Sequence, residues 1–140
     1  NKAVISGDGL SAPINIEETV YVRSAARLSI SKSMTPTVIS GSDQVTYTFI
    51  IQNTGNTAIT TADNVIISDV FDPVLDITSV TFNGKAWTEP DNYTYNEETG
   101  LFTSGADQVT VPAASYTANP ETGAIVINPG ISTLVIKGTI

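Results

Sequence analysis

The sequence predicts an all-β protein built as an antiparallel sandwich, and three observations carry that prediction. Residues Gln44 to Asn53 alternate apolar Val45, Tyr47, Phe49 and Ile51 with polar Gln44, Thr46, Thr48 and Gln52, the period of a half-buried strand. Short runs of strand character separated by turn residues continue along the whole chain, and no helical periodicity interrupts them. Apolar residues make up 41% and charged residues only 14%, with a polar remainder dominated by Thr, Ser and Asn, a balance that suits pleated surfaces better than helices. At 140 residues the chain is of single-domain size and long enough to bury a core without metals or disulfides.

Asn1 to Ser6 reads as a short strand ended by Gly7, Asp8 and Gly9. Ile14, Ile16, Val20 and Val22 share one parity with Glu18 breaking the pattern, which fits an edge strand or an extended connection. Ser24 to Arg27 leads into the stretch Leu28 to Val70. There Leu28, Ile30 and Met34 share a face, Pro36 blocks ladder donation, and Ser40 to Asp43 form the turn before the Gln44 strand. Asn53 to Asn56 end that strand. A small polar loop reaches Asp63, Val65 to Val70 resumes strand character with Val65 and Ile67 on one face, and Asp72-Pro73 stops it. Within Ser79 to Thr88, Asn83 and Gly84 accept the positive φ angles of a two-residue hairpin turn. Asn96-Glu97-Glu98-Thr99-Gly100 and Asn119-Pro120-Glu121-Thr122-Gly123 echo one another after Tyr-Thr pairs, which predicts two hairpins reusing one tight connection. Gln108 to Val111 reads as a short strand stopped by Pro112, and Ile131 to Ile140 as the final core strand.

Roughly seven to nine such strands argue an immunoglobulin-like antiparallel β-sandwich, with a closed barrel as the structural alternative. Its expected core is Val45, Tyr47, Phe49, Ile51, Val65, Ile67, Leu134 and Ile136.

The composition narrows function by subtraction. Fourteen acidic against six basic residues leave a net charge of -8, which repels phosphate backbones and offers no basic patch to nucleic acid or anionic lipid. Without cysteine there is no disulfide or thiolate chemistry, and without histidine the usual general base and commonest metal ligand are missing. The expectation is a protein that is not an enzyme and uses no cofactor or metal. No apolar run reaches membrane-spanning length, and the first residues lack the regions of a signal peptide, so the chain reads as a mature or excised segment.

Lys32 shares parity with Leu28 and Ile30, and Asp69 with Val65 and Ile67, so both charges are expected to point inward, where they are costly unless paired. A half-buried salt bridge that serves packing, or charges emerging at strand ends, is the simpler reading. The loop from Trp87 to Tyr95, WTEPDNYTY, offers a second candidate site: exposed faces of Trp87, Tyr93 and Tyr95 could stack on sugars beside carboxylates, or these aromatics could cap the sandwich. Glu97 with Glu98, or Asp72 with Asp76, have the composition of a glycosidase carboxylate pair without its specificity. Asp8, Asp63, Asp72 and Asp91 sit in loops as calcium ligands do, but with no Asp-x-Asp run, so a solvated acidic surface accounts for them. Asn92-Tyr93-Thr94 matches a glycosylation acceptor.

Four stretches together resemble a family: Leu28-Ser-Ile-Ser-Lys-Ser, Gly41-Ser-Asp-Gln-Val-Thr-Tyr-Thr, Gln52-Asn-Thr-Gly-Asn and Asn64-Val-Ile-Ile-Ser-Asp. They are similar to the bacterial conserved repeat domain, an immunoglobulin-like module of unknown function strung in tandem along surface proteins. The likeness covers about Ala26 to Ile140 and implies a repeat domain over residues 25–140, with residues 1–24 as the tail of a preceding repeat or a strand that completes this one. It further implies a bacterial cell-surface or cell-wall location outside the cell. The implied role is a non-enzymatic spacer or adhesive module, whose partners are neighbouring repeats of the same chain and a host or cell-wall glycan or protein. In related surface domains a Lys on the first core strand, an acid on a middle strand and an Asn on the last form an isopeptide bond. The resemblance places Lys32 and Asp69 in the first two roles. The third would fall to Asn1 or to Asn128, so the expectation is an ion pair and no bond.

Overall fold

The computed structural model describes residues 2–9, 11–12, 14–17, 24–41 and 43–140. In chain order the strands are β1 (Lys2–Ile5), β2 (Ile14–Glu17), β3 (Leu28–Thr35), β4 (Gln44–Asn53), β5 (Ser68–Val70), β6 (Asp76–Phe82), β7 (Lys85–Trp87), β8 (Tyr93–Asn96), β9 (Leu101–Ser104), β10 (Ser115–Ala118), β11 (Ile125–Asn128) and β12 (Gly130–Thr139). One 3-10 turn, Thr61–Asp63, is the sole helical element among the described residues.

Two antiparallel sheets form a sandwich, a five-stranded sheet ordered β3-β4-β12-β6-β7 and a three-stranded sheet ordered β5-β9-β8. Two further hairpins, β1-β2 and β10-β11, are two-stranded sheets of their own. The sheets end in separate edge strands, so the architecture is a sandwich and not the barrel alternative.

Strands β4 and β12 build the centre because ten residues of each pair in continuous register, from Gly130 opposite Asn53 to Thr139 opposite Gln44. Their alternation puts Val45, Tyr47, Phe49, Ile51, Leu134 and Ile136 inside, and each is buried. Ile67 is buried too, whereas Val65, also expected in the core, is half-buried at its rim. The opposite layer supplies Phe71, Leu75 and Phe102, each 2% exposed or less, and the segment after it supplies Val109 and Val111. Phe71 meets Tyr47 with ring centroids 4.8 Å apart.

Two expected strands are shortened. Strand pairing within Val65 to Val70 is confined to β5, and Gln108 to Val111 is not a strand but an extended segment fixed by one bridge to Ile59. There the Ile59 and Val111 amides each donate to the other's carbonyl, at 2.8 and 3.0 Å. One reciprocal pair suffices to seat Val109 and Val111 in the core without a ladder.

The turns follow the residues that encode them. Asn83 and Gly84 join β6 to β7 with φ angles of 50° and 79°. The echoed turns are atomically alike: the Asn96 side-chain oxygen accepts from the Glu98 and Thr99 amides, and the Asn119 oxygen from the Glu121 and Thr122 amides. Each closes on a glycine of positive φ, Gly100 at 72° and Gly123 at 69°, whose amide donates to the carbonyl of its asparagine.

Candidate functional site

A sheet of five strands facing one of three leaves part of the wider sheet uncovered, and the two sides of this sandwich deal with that differently. On the β7–β8 side the chain closes the gap itself. Trp87 stacks on Phe82 at 4.8 Å and 20°, Tyr93 stacks on Phe102 at 5.0 Å and 27°, and both are buried. The link between them is knitted by the Thr88 amide donating to Asn92 Oδ1 and by Asn92 Nδ2 donating to Gln108 Oε1 at 2.6 Å.

On the other side nothing among the described residues covers the gap. Strand β3 pairs only with β4, and β5 only with β9. Between these free edges runs a groove lined by Leu28 and Ile30 of β3, Ile51 of β4, the Val65 to Ser68 run and Val109. Leu28, Ile30 and Met34 do point toward the opposite layer, as their parity predicts. Met34 packs on the core, but Leu28 and Ile30 keep 41% and 57% of their surface exposed because no strand lies over them. Sequence periodicity gives their direction; their exposure follows from the uncovered edge.

Past Ile30 on β3 and Ser68 on β5 lies the pair Lys32 and Asp69. The structure brings them together as an ion pair between Lys32 Nζ and Asp69 Oδ2 that ties the edge of one sheet to the edge of the other. The ammonium also lies 4.8, 5.7 and 5.1 Å from the ring centroids of Tyr47, Phe49 and Phe71. Both charges aim inward and the side chains retain 38% and 22% exposure, the half-buried salt bridge that is one reading of this pair, seated half-open at the groove. Of the two asparagines considered as a third member, Asn128 stands on the β10-β11 hairpin with its amide donating to Thr117 Oγ1, and Asn1 lies outside the described residues. The arrangement holds a cation against three aromatic rings and a carboxylate; the described residues bring no amide to it.

In the Trp87 to Tyr95 loop the aromatics lie as the capping alternative has them. Trp87 and Tyr93 have their rings packed inside, and Tyr95 is half-buried with its hydroxyl donating to the Leu75 carbonyl and accepting from the Leu75 amide, both at 3.0 Å. Burial, reinforced by Glu89 for Tyr93 and by Glu97 and Asp76 for Tyr95, raises both phenols above the ordinary value of 10.0. The acceptor amide of Asn92-Tyr93-Thr94 is spent on Gln108. Asp76 and Glu97, not the two pairs named from sequence, share a cleft beside Ile140. Among the described residues no three acidic side chains gather as a metal site would require, and the Asp63 carboxylate accepts from the Thr60 amide and hydroxyl.

Sequence reasoning read Asn53 as a strand terminator and missed its larger part. Fully buried, its Oδ1 accepts from the Arg27 and Gly55 amides at 3.0 and 2.9 Å, and its Nδ2 donates to the Thr57 and Pro112 carbonyls at 2.7 and 3.1 Å. It thus fixes the chain entering β3, and with it the lip of the groove. The signal was the Asn53-Thr54-Gly55-Asn56 run itself, whose Asn56 Oδ1 accepts from the Ala25 amide.

Comparison with protein-family models, with curated proteins and with solved structures finds no match to this chain.

Proposed function

We propose that this chain is a non-enzymatic structural module, immunoglobulin-like in its sandwich, that serves as one bead of a repeat protein on the bacterial cell surface or in its wall. One observation carries the reading: the sandwich has one finished side and one unfinished side, and the unfinished side is an apolar groove between two free strand edges. Free edges with exposed apolar neighbours invite strand addition, so a module that leaves such an edge open is suited to a partner that supplies a strand. The partner proposed is a neighbouring repeat of the same kind. Its β1-β2 region fits, being a two-stranded sheet by itself, marginal alone, with Val4 and Ile5 each 61% exposed.

The absence of histidine and cysteine, the net charge of -8 and the resemblance of the Leu28 to Asp69 motifs to tandem surface repeats support the same reading. Burial of the Trp87 ring favours this reading over adhesion to a glycan through that loop. The test is a chain of two copies in tandem set beside the single copy. The module reading expects a higher melting temperature for the tandem chain, lost on Ile30→Lys in the groove. Two copies that melt as one copy does, with Ile30→Lys without effect on the difference, would reject it.

A further inference from the structure

The hairpin turn Asn83-Gly84 carries chemistry that the structural reading does not use. In a flexible chain the amide nitrogen of a glycine following asparagine attacks the side-chain Cγ. The glycine N–H and the Cγ–Nδ2 bond break, ammonia leaves, and a cyclic imide forms, which water then opens at either carbonyl to aspartate or isoaspartate. Here the turn is exposed, and a Cβ built on Gly84 would meet nothing within 4 Å, so neither burial nor crowding shields it.

What restrains it is a clasp. Asn83 Oδ1 accepts from the Thr133 amide at 2.8 Å, Nδ2 donates to Ser132 Oγ at 3.2 Å, and the Asn83 amide donates to the Thr133 carbonyl at 2.8 Å. The carboxamide is therefore turned across to β12, and ring closure has to break both of its bonds. The same contacts bear on the product. Ser132 is fully buried and its hydroxyl proton is committed to the Thr110 carbonyl at 2.5 Å. A carboxylate in place of the amide would face that oxygen with no proton to share.

We propose that Asn83 is a latent deamidation site, held unreactive by its clasp to Ser132 and Thr133 and released when the β6-β7 hairpin parts from β12, after which the half of the clasp that Nδ2 donates to Ser132 cannot reform. The modified fraction of a population would thus accumulate with the time its hairpins have spent open.

The experiment is peptide mapping with isoaspartate detection after incubation at mildly alkaline pH, comparing the native chain with the same chain in urea. The folded chain is expected to convert Asn83 on the order of tenfold more slowly or slower still, because reaction waits on local opening. Ser132→Ala is expected to speed conversion in the folded state beyond a Gly100→Ala control brought to the same melting temperature. Equal rates in the folded and urea-treated chain would overturn the proposal. So would a Ser132→Ala rate no faster than that of the control, since global unfolding would then explain the chemistry.

Discussion

Replacing Asn53 by Leu removes a side chain of similar size while abolishing four hydrogen bonds at a site with no exposure. The amides of Arg27 and Gly55 and the carbonyls of Thr57 and Pro112 are left behind. The Gly55 bond lies in the buried interior and the other three are partly buried, so some of these groups recover water. With about 1–3 kcal/mol for each buried group left unpaired, and about half of the four remaining dry, the loss comes to about 2–6 kcal/mol. For a chain of this length an unfolding entropy of about 2.1 cal/mol/K per residue converts that into a fall in Tm of roughly 7–20 °C. Trp87, the single tryptophan, is buried against Phe82 and reports unfolding by fluorescence in urea. Asn53→Asp separates shape from polarity: it keeps the acceptor for Arg27 and Gly55 but points a carboxylate oxygen at two carbonyls, so it is expected to cost about as much as Leu. A loss below about 1 kcal/mol for both variants, on the scale of a surface substitution, would refute the view that Asn53 is the clasp at the entry to β3.

Three further outcomes are expected. Gly100→Ala and Gly123→Ala place the same methyl in matching turns, but at Gly100 the new Cβ would lie 2.2 Å from the Phe71 carbonyl and at Gly123 it would meet nothing. Urea unfolding should show about 1–2 kcal/mol of left-handed strain at most for Gly123→Ala and a clearly larger loss for Gly100→Ala. Intact mass should equal that of the unmodified sequence; an ammonia loss that vanishes in Lys32→Ala would show a cross-link in place of the ion pair. Because Tyr93 and Tyr95 have raised folded-state pKa values, the stability they contribute is present below the ordinary value of 10.0 and is lost as pH climbs past it through the folded values. Alkaline unfolding followed by circular dichroism should therefore move to higher pH in Tyr93→Phe, and an unmoved transition would remove Tyr93 from that account.

What could be read from sequence divides along physical lines. The strands β4 and β12 were legible because each has a neighbour on both edges and a sheet across one face, so period-two alternation and burial coincide. The twin turns were legible because Asx chemistry is local, complete within Asn96 to Gly100 and Asn119 to Gly123. Lys32 and Asp69 were legible as an inward, half-buried pair by parity, while the degree of their exposure depends on the three-stranded layer ending at β5. Trp87 and Tyr93 sit among Glu, Pro, Asp and Asn, so their sequence leaves both an exposed platform and a cap on the sandwich open. Their stacking partners Phe82 and Phe102 lie on other strands, and local polarity carries no record of them. Asn53 finds Pro112 across 59 residues, a distance at which pattern reading is blind.

The claim at the centre is that the groove between β3 and β5 is a seat for a strand from the neighbouring repeat. Hydrogen exchange on the two-copy tandem chain measures it directly, by following the backbone amides of Leu28 to Lys32 and of Ile66 to Val70 in each copy. The account predicts that one copy gains protection at the outward-facing amides of these free edges relative to the single-copy chain, while β4 and β12 exchange alike in both. Edge amides that exchange in the tandem chain as fast as in the single copy would contradict it.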